Sequence, residues 1–251
     1  MMVLTIAQRE WRSLFLSPLA WTMLAVIQFI MAYLFLAQLD YYLMLQPRMG
    51  NMEDVPGTTD MVVTPLFGNA AVILLLVTPL LTMRLVCEER RNRTLSLLLS
   101  APVSMMEIAL GKFLGVFGFL MLIVILLLMM PLSLLAGGSL DAGKLLACGL
   151  ALSLLLASFS AVGLYLSSLA SHPTVAAIST FGALLLFWII DWTGNSNGKS
   201  HALVEYLSML RHYESMLKGL MDTTDIVYFL LIMTTFLVLT VHRLDSDRLQ
   251  K

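Results

Sequence analysis

The sequence predicts an all-α integral membrane protein with six membrane-spanning helices. Of its 251 residues, 59% are hydrophobic and only 12% are charged, which is far from the composition of a soluble domain. The mean hydropathy of +0.88 agrees with this. The apolar residues also form six sustained runs, each reaching the roughly 17–25 residues that cross a ~30 Å hydrocarbon core. These runs occupy about residues 19–37, 66–86, 113–136, 145–170, 174–192 and 226–242.

Residues 1–18 predict a helix that lies in the membrane interface before the first span. Its apolar stripe comprises Val3, Ala7, Trp11 and Leu14, and its polar side Gln8, Arg9, Glu10 and Arg12. A stripe of this kind with a Trp at headgroup depth is typical of an interfacial helix. We therefore expect Arg9, Trp11 and Arg12 to hold this helix at the interface, and Ser17-Pro18 to end it.

The densest group of charges lies between the second and third runs. It comprises Arg84, Glu88, Glu89, Arg90, Arg91, Arg93, Glu107 and Lys112. Between these charges, Leu95, Leu98 and Leu99 have the i, i+3, i+4 spacing that gives a helix one apolar face. Pro102 ends that segment, and Ser104 with Glu107 predicts a capping box at the start of the next helix. Residues 87–112 therefore predict a short amphipathic helix joined to a span on each side.

The distribution of Lys and Arg predicts the orientation in the membrane. Ten basic residues fall on one side, namely Arg9, Arg12, Arg84, Arg90, Arg91, Arg93, Lys112, Arg243, Arg248 and Lys251. Five fall on the other, namely Arg48, Lys144, Lys199, Arg211 and Lys218. Because cytoplasmic loops carry the excess of basic residues, both termini and the charged region are predicted to be cytoplasmic.

Two outer loops follow from this orientation, over residues 38–65 and 193–225. In the second, Leu and Tyr residues recur at helical spacing, which predicts short helices over the outer surface of the bundle. We expect Leu207, Leu210 and Tyr213 to form a docking surface there. A loop of about 33 residues is longer than most connections, and such loops usually have a structure or function of their own.

Several kinds of site are disfavoured. Residues 194–200 end in Gly-Lys-Ser, but three residues separate the two glycines where a phosphate-binding loop has four. Met44, Met49, Met52 and Met61 share one loop; their thioethers would suit Cu(I), yet their uneven spacing favours gap-filling methionines. The scattered histidines predict neither a metal site nor a catalytic triad, and no basic stripe predicts nucleic-acid binding.

The order of these parts resembles the permease subunit of an ABC-2-type ATP-binding-cassette transporter. Residues 88–103 (EERRNRTLSLLLSAPV) with Gly111-Lys112 are similar to the coupling region of that family, except that Asn92-Arg93 stands where a glycine usually precedes the threonine. Residues 211–229 resemble the branch of gliding-motility-associated and nitrous-oxide-reductase-maturation permeases. In that branch a His-Phe-like pair, a Lys/Arg-Gly and an Asp-x-x-Asp precede the last span.

The resemblance implies a type V exporter-like fold with an elbow helix and a cytoplasmic coupling helix. It implies a subunit of the bacterial cytoplasmic membrane that is not itself an enzyme. A second permease copy and two ATPase subunits would complete the complex, and the ATPase subunits would bind all the ATP and Mg²⁺. The residues that it assigns to ATPase coupling are Glu88, Glu89, Arg91, Thr94, Leu95, Leu98, Leu99 and Pro102.

Two functions are compatible with such a subunit. It would export or flip a hydrophobic or amphipathic substrate through the membrane. Alternatively, it would act as a mechanotransmitter that passes ATP-driven motion to an outer-face accessory protein without transport. A secondary transporter is disfavoured because the spans lack the buried ionisable groups that ion coupling requires.

Engineered cysteines test the predicted orientation. Asp54→Cys and Lys199→Cys should react with a membrane-impermeant maleimide added outside intact cells, because both positions lie in predicted outer loops. Arg91→Cys should react only after the membrane is permeabilised. Labelling of Arg91→Cys from the outside would contradict the orientation.

Overall fold

The computed structural model describes residues 2–49, 57–92, 103–136, 140–194 and 206–249. All the regular secondary structure in these ranges is helical. The α-helices are α1 (Met2–Leu16), α2 (Pro18–Met49), α3 (Thr64–Thr82), α4 (Cys87–Arg91), α5 (Met105–Leu132), α6 (Ala142–Leu169), α7 (Pro173–Gly194), α8 (Met209–Leu217) and α9 (Thr223–Leu249). A π-helical turn (Thr59–Val63) precedes α3, and a 3₁₀ turn (Ser133–Ala136) follows α5.

Six helical segments in the described residues are long and apolar enough to cross a membrane. They comprise α2, the stretch from Thr59 to Arg91, α5, α6, α7 and α9. This confirms the predicted all-α membrane fold. Of the six, α6 is the most enclosed, and it contacts α3, α5, α7, α8 and α9.

Small residues on α6 let its neighbours approach closely. A Cβ atom built on Gly163 would lie 2.3 Å from Oγ1 of Thr82 on α3, so only glycine fits this crossing without a shift. Close approach over small residues is how helices pack in a membrane, where apolar burial does not drive their association. Gly163 therefore sets the separation between α3 and α6.

Hydroxyl groups within the spans bond to helix carbonyls. Thr78 donates to Leu74 O at 2.7 Å and Thr82 to Thr78 O at 3.0 Å, both within α3. Ser158 on α6 donates across the helix interface to Phe229 O on α9 at 3.1 Å. The sequence left open whether such groups line a cavity. These three hydroxyl groups instead bond to a carbonyl of their own helix or of a neighbouring helix.

The two ends of the bundle differ in chemistry. One end, which we call the terminal end, holds α1, α4, the start of α5 and the last turns of α9, and ion pairs join these elements. The opposite end, which we call the far end, holds the starts of α3 and α6 together with α8. The two functional regions described below lie at these ends.

The helix of the first span continues beyond the predicted span boundary. The sequence predicts a first span over 19–37 and a loop over 38–65, whereas α2 continues to Met49 and helical structure resumes at Thr59. Polar residues such as Gln38 and Asp40 mark where the chain becomes less apolar, but they do not break a helix. Pro47 is the first strong breaker, and α2 ends within a turn of it.

A proline and a capping box set the helix boundaries around the charged region. Within the candidate span from Thr59 to Arg91, α3 ends at Thr82, shortly after Pro79 removes one helical hydrogen bond. The capping box is confirmed, because the Glu107 amide donates to Ser104 Oγ at 3.2 Å and the Ser104 amide donates to the Glu107 carboxylate at 3.1 Å. That cap starts α5 at Met105, so residues 105–112 of the predicted coupling region are continuous with the helix of the third span.

Candidate functional site

A buried ion cluster joins three helices at the terminal end. Lys112 on α5 is only 2% exposed, and its Nζ lies 2.9 Å from Glu10 Oε1 on α1 and 2.8 Å from Glu89 Oε1 on α4. An ammonium removed from water requires such partners, because unpaired burial of a charge costs several kcal/mol. We call Lys112, Glu10 and Glu89 the lysine clasp.

Glycines on α5 bring Glu10 to the lysine. A Cβ atom on Gly111 would lie 2.7 Å from Ile6 Cβ, and one on Gly115 would lie 2.6 Å from Glu10 Cβ. The backbone of α1 therefore rests directly on α5, and the Glu10 side chain turns along α5 towards Lys112. The sequence placed Glu10 on the polar side of α1, and that prediction is wrong because the glycine spacing on α5 is a tertiary feature.

The three residues predicted to hold α1 at the membrane interface are all exposed. Trp11 is 42% exposed, and Arg12 is also exposed. Arg9 is exposed as well, and its guanidinium lies 3.8 Å from Glu89 Oε1. Arg9 therefore adds a positive charge at the rim of the lysine clasp.

The segment between α3 and α4 is held by one serine of α6. Ser167 Oγ accepts hydrogen bonds from the amides of Val86 at 3.2 Å and Cys87 at 3.3 Å. The same hydroxyl group donates to Met83 O at 3.2 Å. A helix break in a membrane bundle leaves amides and carbonyls without partners, and Ser167 supplies three of the missing contacts.

The last helix also reaches α4. Arg90 pairs with Asp247 on α9, and Arg243 Nη2 lies 3.6 Å from the same carboxylate. Through Glu89, Arg90 and the Ser167 contacts, α4 is tied to α1, α5, α6 and α9. This five-residue helix is therefore the point at which the terminal ends of four other helices meet.

The predicted coupling residues divide into two groups. Thr94, Leu95, Leu98, Leu99 and Pro102 lie outside the described residues. Glu88 and Arg91 are exposed on α4, whereas Glu89 is largely covered and belongs to the lysine clasp. The sequence analysis named Lys112 in the charged region and, with Gly111, in the resemblance to the family's coupling region, but it did not select Glu10, Ser167 or Asp247. The signal for the clasp was Lys112, a single charge set within the long apolar stretch that follows Glu107.

At the far end, α8 is wedged into the bundle by Tyr213. Its ring is 1% exposed, and its hydroxyl donates to Phe67 O on α3 at 2.8 Å. Burial raises the pKa of the Tyr213 phenol well above its usual range, so the group remains a donor. The prediction that Tyr213 forms part of a docking surface is therefore wrong, whereas Leu207 is 44% exposed and Leu210 lines a groove.

His212 ties α8 to the last span. Its Nδ1 lies 2.6 Å from Asp225 Oδ1, its Nε2 lies 3.1 Å from Tyr206 O, and its ring stacks on Tyr228 with centroids 4.1 Å apart. A carbonyl oxygen can only accept, so Nε2 carries a proton in this contact. The His212 ring thus joins α8 to Asp225 and Tyr228 on α9 and to the backbone of Tyr206.

The remaining tail motif residues shape the connection between α8 and α9. Gly219 has a φ of +82° at the end of α8, the left-handed conformation that favours glycine. Asp222 Oδ1 accepts from the Thr224 amide at 3.3 Å and so caps the first turn of α9. The His-Tyr pair, the Lys-Gly pair and the Asp-x-x-Asp spacing of this segment therefore build one tight junction.

Sequence comparison matches nearly the whole chain to a known protein family. A family model described as ABC-2 family transporter protein matches residues 4–247. The matched range runs from α1 into α9 and includes both the lysine clasp and the far-end junction. No curated protein matches the chain in sequence.

Removing the clasp ammonium should release α1 and destabilise the protein. Lys112→Met leaves two largely covered carboxylates facing each other, and breaking a buried ion pair costs about 3–5 kcal/mol. Lys144→Met is the control, because its partner Asp60 is 49% exposed and such pairs contribute only about 0–1 kcal/mol. In detergent, Lys112→Met should melt at a lower temperature and be cut faster by trypsin near Arg9. Equal melting and cleavage of the two variants would contradict the role of the clasp.

Proposed function

The chain belongs to the ABC-2 family of transporter proteins, and we propose that its terminal end receives the motion of a separate ATPase and transmits it to the spans. Membership in this family makes the chain a multi-pass membrane component of a transporter that works with an ATP-binding-cassette ATPase. In the proposed complex, two copies of this chain pair with two ATPase subunits. The ATPase subunits bind the ATP and Mg²⁺.

The proposed location is the bacterial cytoplasmic membrane, with both termini and the terminal end on the cytoplasmic side. The excess of basic residues at that end supports this orientation. Within the family, we propose the branch of gliding-motility-associated and nitrous-oxide-reductase-maturation permeases. That narrower assignment rests on the His212-Tyr213 pair and the Asp222–Asp225 spacing.

The observation that carries the proposal is the attachment of α4 to four other helices. Glu89 binds Lys112, Arg90 binds Asp247, and Ser167 accepts from the amides at the start of α4. A force applied next to α4 therefore reaches α1, α5, α6 and α9 together. A loosely attached loop would absorb the same displacement.

The proposed ATPase contact follows α4 directly in the chain. The predicted apolar face of Leu95, Leu98 and Leu99 lies between α4, held by the clasp, and α5, which starts at the capping box of Ser104. A displacement of this contact is thus passed to both flanking helices, because neither can move without breaking a buried polar contact. Two discrete arrangements of the bundle, biased by the ATPase, would then alternate during transport.

A groove at the far end favours the proposal that the substrate is amphipathic. A cavity of about 410 Å³ lies between α3, α7 and α8. Its apolar walls include Gly68, Val72 and Trp188, and Glu214 and Lys218 also line it. Binding sites for small molecules are concave and mostly apolar with a few polar groups. A molecule with an apolar body and a polar end fits such a lining.

A charge on the predicted apolar face should separate the permease from its ATPase. Leu98→Asp places a carboxylate where the proposed interface would bury it without a partner, and such burial opposes binding. Ser96→Asp introduces the same charge at a position about 100° around the predicted helix from the centre of the Leu95–Leu98–Leu99 face, so this charge lies off that face. Affinity purification of the permease should recover the ATPase with Ser96→Asp and lose it with Leu98→Asp. Equal recovery would remove the proposed contact.

A second candidate function is mechanical transmission to an outer-face protein. Large apolar side chains outside the spans flank α8, namely Tyr206, Leu207, Leu220 and Met221, which are 48%, 44%, 65% and 43% exposed. Tyr228 on α9 donates to Leu207 O at 2.7 Å, so this surface is attached to the last span. Exposed apolar surface of this kind is typical of a protein contact.

Charges on that surface should distinguish the two functions. Leu207 and Leu220 are 44% and 65% exposed, so the carboxylates of Leu207→Asp combined with Leu220→Asp can reach water and the bundle should stay folded. If the subunit transmits force, the double variant should lose stimulation of ATPase activity by the outer-face partner, and Lys218→Asp should keep it. If the subunit instead transports a substrate, candidate lipids should stimulate the ATPase activity of the reconstituted complex without the outer-face partner. Wild-type stimulation by the partner in the double variant would contradict the docking surface.

A further inference from the structure

A cavity of about 430 Å³ opens at the terminal end between α1, α2, the α3–α4 break and α5. Its apolar wall is formed by Leu14, Leu19, Ala20, Leu80 and Leu81. Its polar wall includes the lysine clasp and three further charged residues, Arg9, Arg84 and Glu88. The cavity therefore has one wall suited to hydrocarbon and one suited to ions.

Within the described residues, Arg84 and Glu88 are the two charged side chains of this cavity that have no ion pair or hydrogen bond. Both are exposed. They are four residues apart, and the Glu88 amide donates to Arg84 O at 3.3 Å, so both side chains leave the same side of this short segment. The cavity thus presents a cation and an anion beside an apolar wall.

The surrounding tryptophans place this cavity at headgroup depth. Trp11 is 42% exposed and Trp21 is 56% exposed, on either side of the α1–α2 junction. Trp21 Nε1 donates to Phe15 O at 2.9 Å, which fixes its ring against that junction. Tryptophan is enriched where hydrocarbon meets water, so a ligand in the cavity would come from the adjoining lipid layer.

We propose that this cavity binds the headgroup of one phosphatidylethanolamine molecule. The Arg84 guanidinium binds the lipid phosphate, because guanidinium groups hold phosphate oxygens through paired N–H donors. The Glu88 carboxylate accepts hydrogen bonds from the lipid ammonium. An acyl chain leaves along Leu80, which is 43% exposed on α3.

The charge of the lining selects a zwitterion with a primary ammonium. Three cations (Arg9, Arg84 and Lys112) face three carboxylates (Glu10, Glu88 and Glu89), so the lining is neutral as a set and does not favour an anionic lipid. Phosphatidylglycerol offers no cation to Glu88. Phosphatidylcholine carries a cation without N–H donors, and inorganic phosphate leaves the apolar wall uncovered. This proposal does not depend on the transport function.

Native mass spectrometry of the full-length chain, purified and delipidated in detergent, tests the proposal. The chain is titrated with dioleoyl phosphatidylethanolamine, phosphatidylcholine and phosphatidylglycerol, and separately with inorganic phosphate as a competitor. We expect one tightly bound phosphatidylethanolamine, with roughly tenfold weaker binding of the other lipids, as expected for loss of a charge-assisted hydrogen bond. Equal binding of all three lipids would overturn the proposal. Displacement of the lipid by inorganic phosphate would also overturn it and assign the site to a free anion.

Variants then locate the binding site. Arg84→Gln should weaken phosphatidylethanolamine and phosphatidylcholine alike by roughly tenfold, and Glu88→Gln should abolish the preference between them. The matched controls are Arg12→Gln and Asp245→Asn, which are exposed and do not line the cavity, and they should bind as the wild type does. Ser13→Trp fills the cavity from α1 and should block the tight site. Unchanged binding by Arg84→Gln and Ser13→Trp together would place the lipid elsewhere and reject the proposal.

Discussion

The terminal end of this protein depends on one buried lysine. Lys112 is 2% exposed, and a covered ammonium is tolerated only where carboxylates surround it. The chain meets this requirement by bringing Glu10 from one side and Glu89 from the other, which obliges α1 and α4 to converge on α5. The glycines of α5 follow from the same constraint, since a larger residue at Gly115 would push Glu10 away. The position of α1 is thus a consequence of neutralising the charge of Lys112.

Both ends of the bundle combine ionic contacts with hydrogen bonds to the backbone. At the terminal end, ion pairs such as Arg90–Asp247 join elements far apart in the chain, and Ser167 bonds three backbone groups between α3 and α4. At the far end, Tyr213 donates to a backbone carbonyl, and His212 contacts Asp225 and stacks on Tyr228. The terminal end differs in that its contacts converge on one five-residue helix, α4, which ties four longer helices together.

The sequence predicts those parts of the fold that depend on local properties. Six spans follow from the length of the apolar runs, and the Ser104–Glu107 cap follows from two side chains within one turn. The continuation of α2 to Met49 was not predicted, because hydropathy indicates the membrane boundary and not the end of a helix. Glu10 and Tyr213 were assigned to polar or exposed surfaces because their partners, Gly115 and Phe67, lie about a hundred or more residues away. The spacing of apolar and polar residues within one helix does not show which residues of other helices will pack against it.

The ion pairs also impose an order on assembly during synthesis. Glu10 is made 102 residues before Lys112, so α1 must wait at the membrane surface until the third span has been inserted. Asp247 is made 157 residues after Arg90, after the apolar part of the last span has been synthesised. The terminal end therefore reaches its final charge arrangement only after the whole bundle has been threaded into the membrane. A nascent chain does not present the finished surface, so a truncated product lacks it as well.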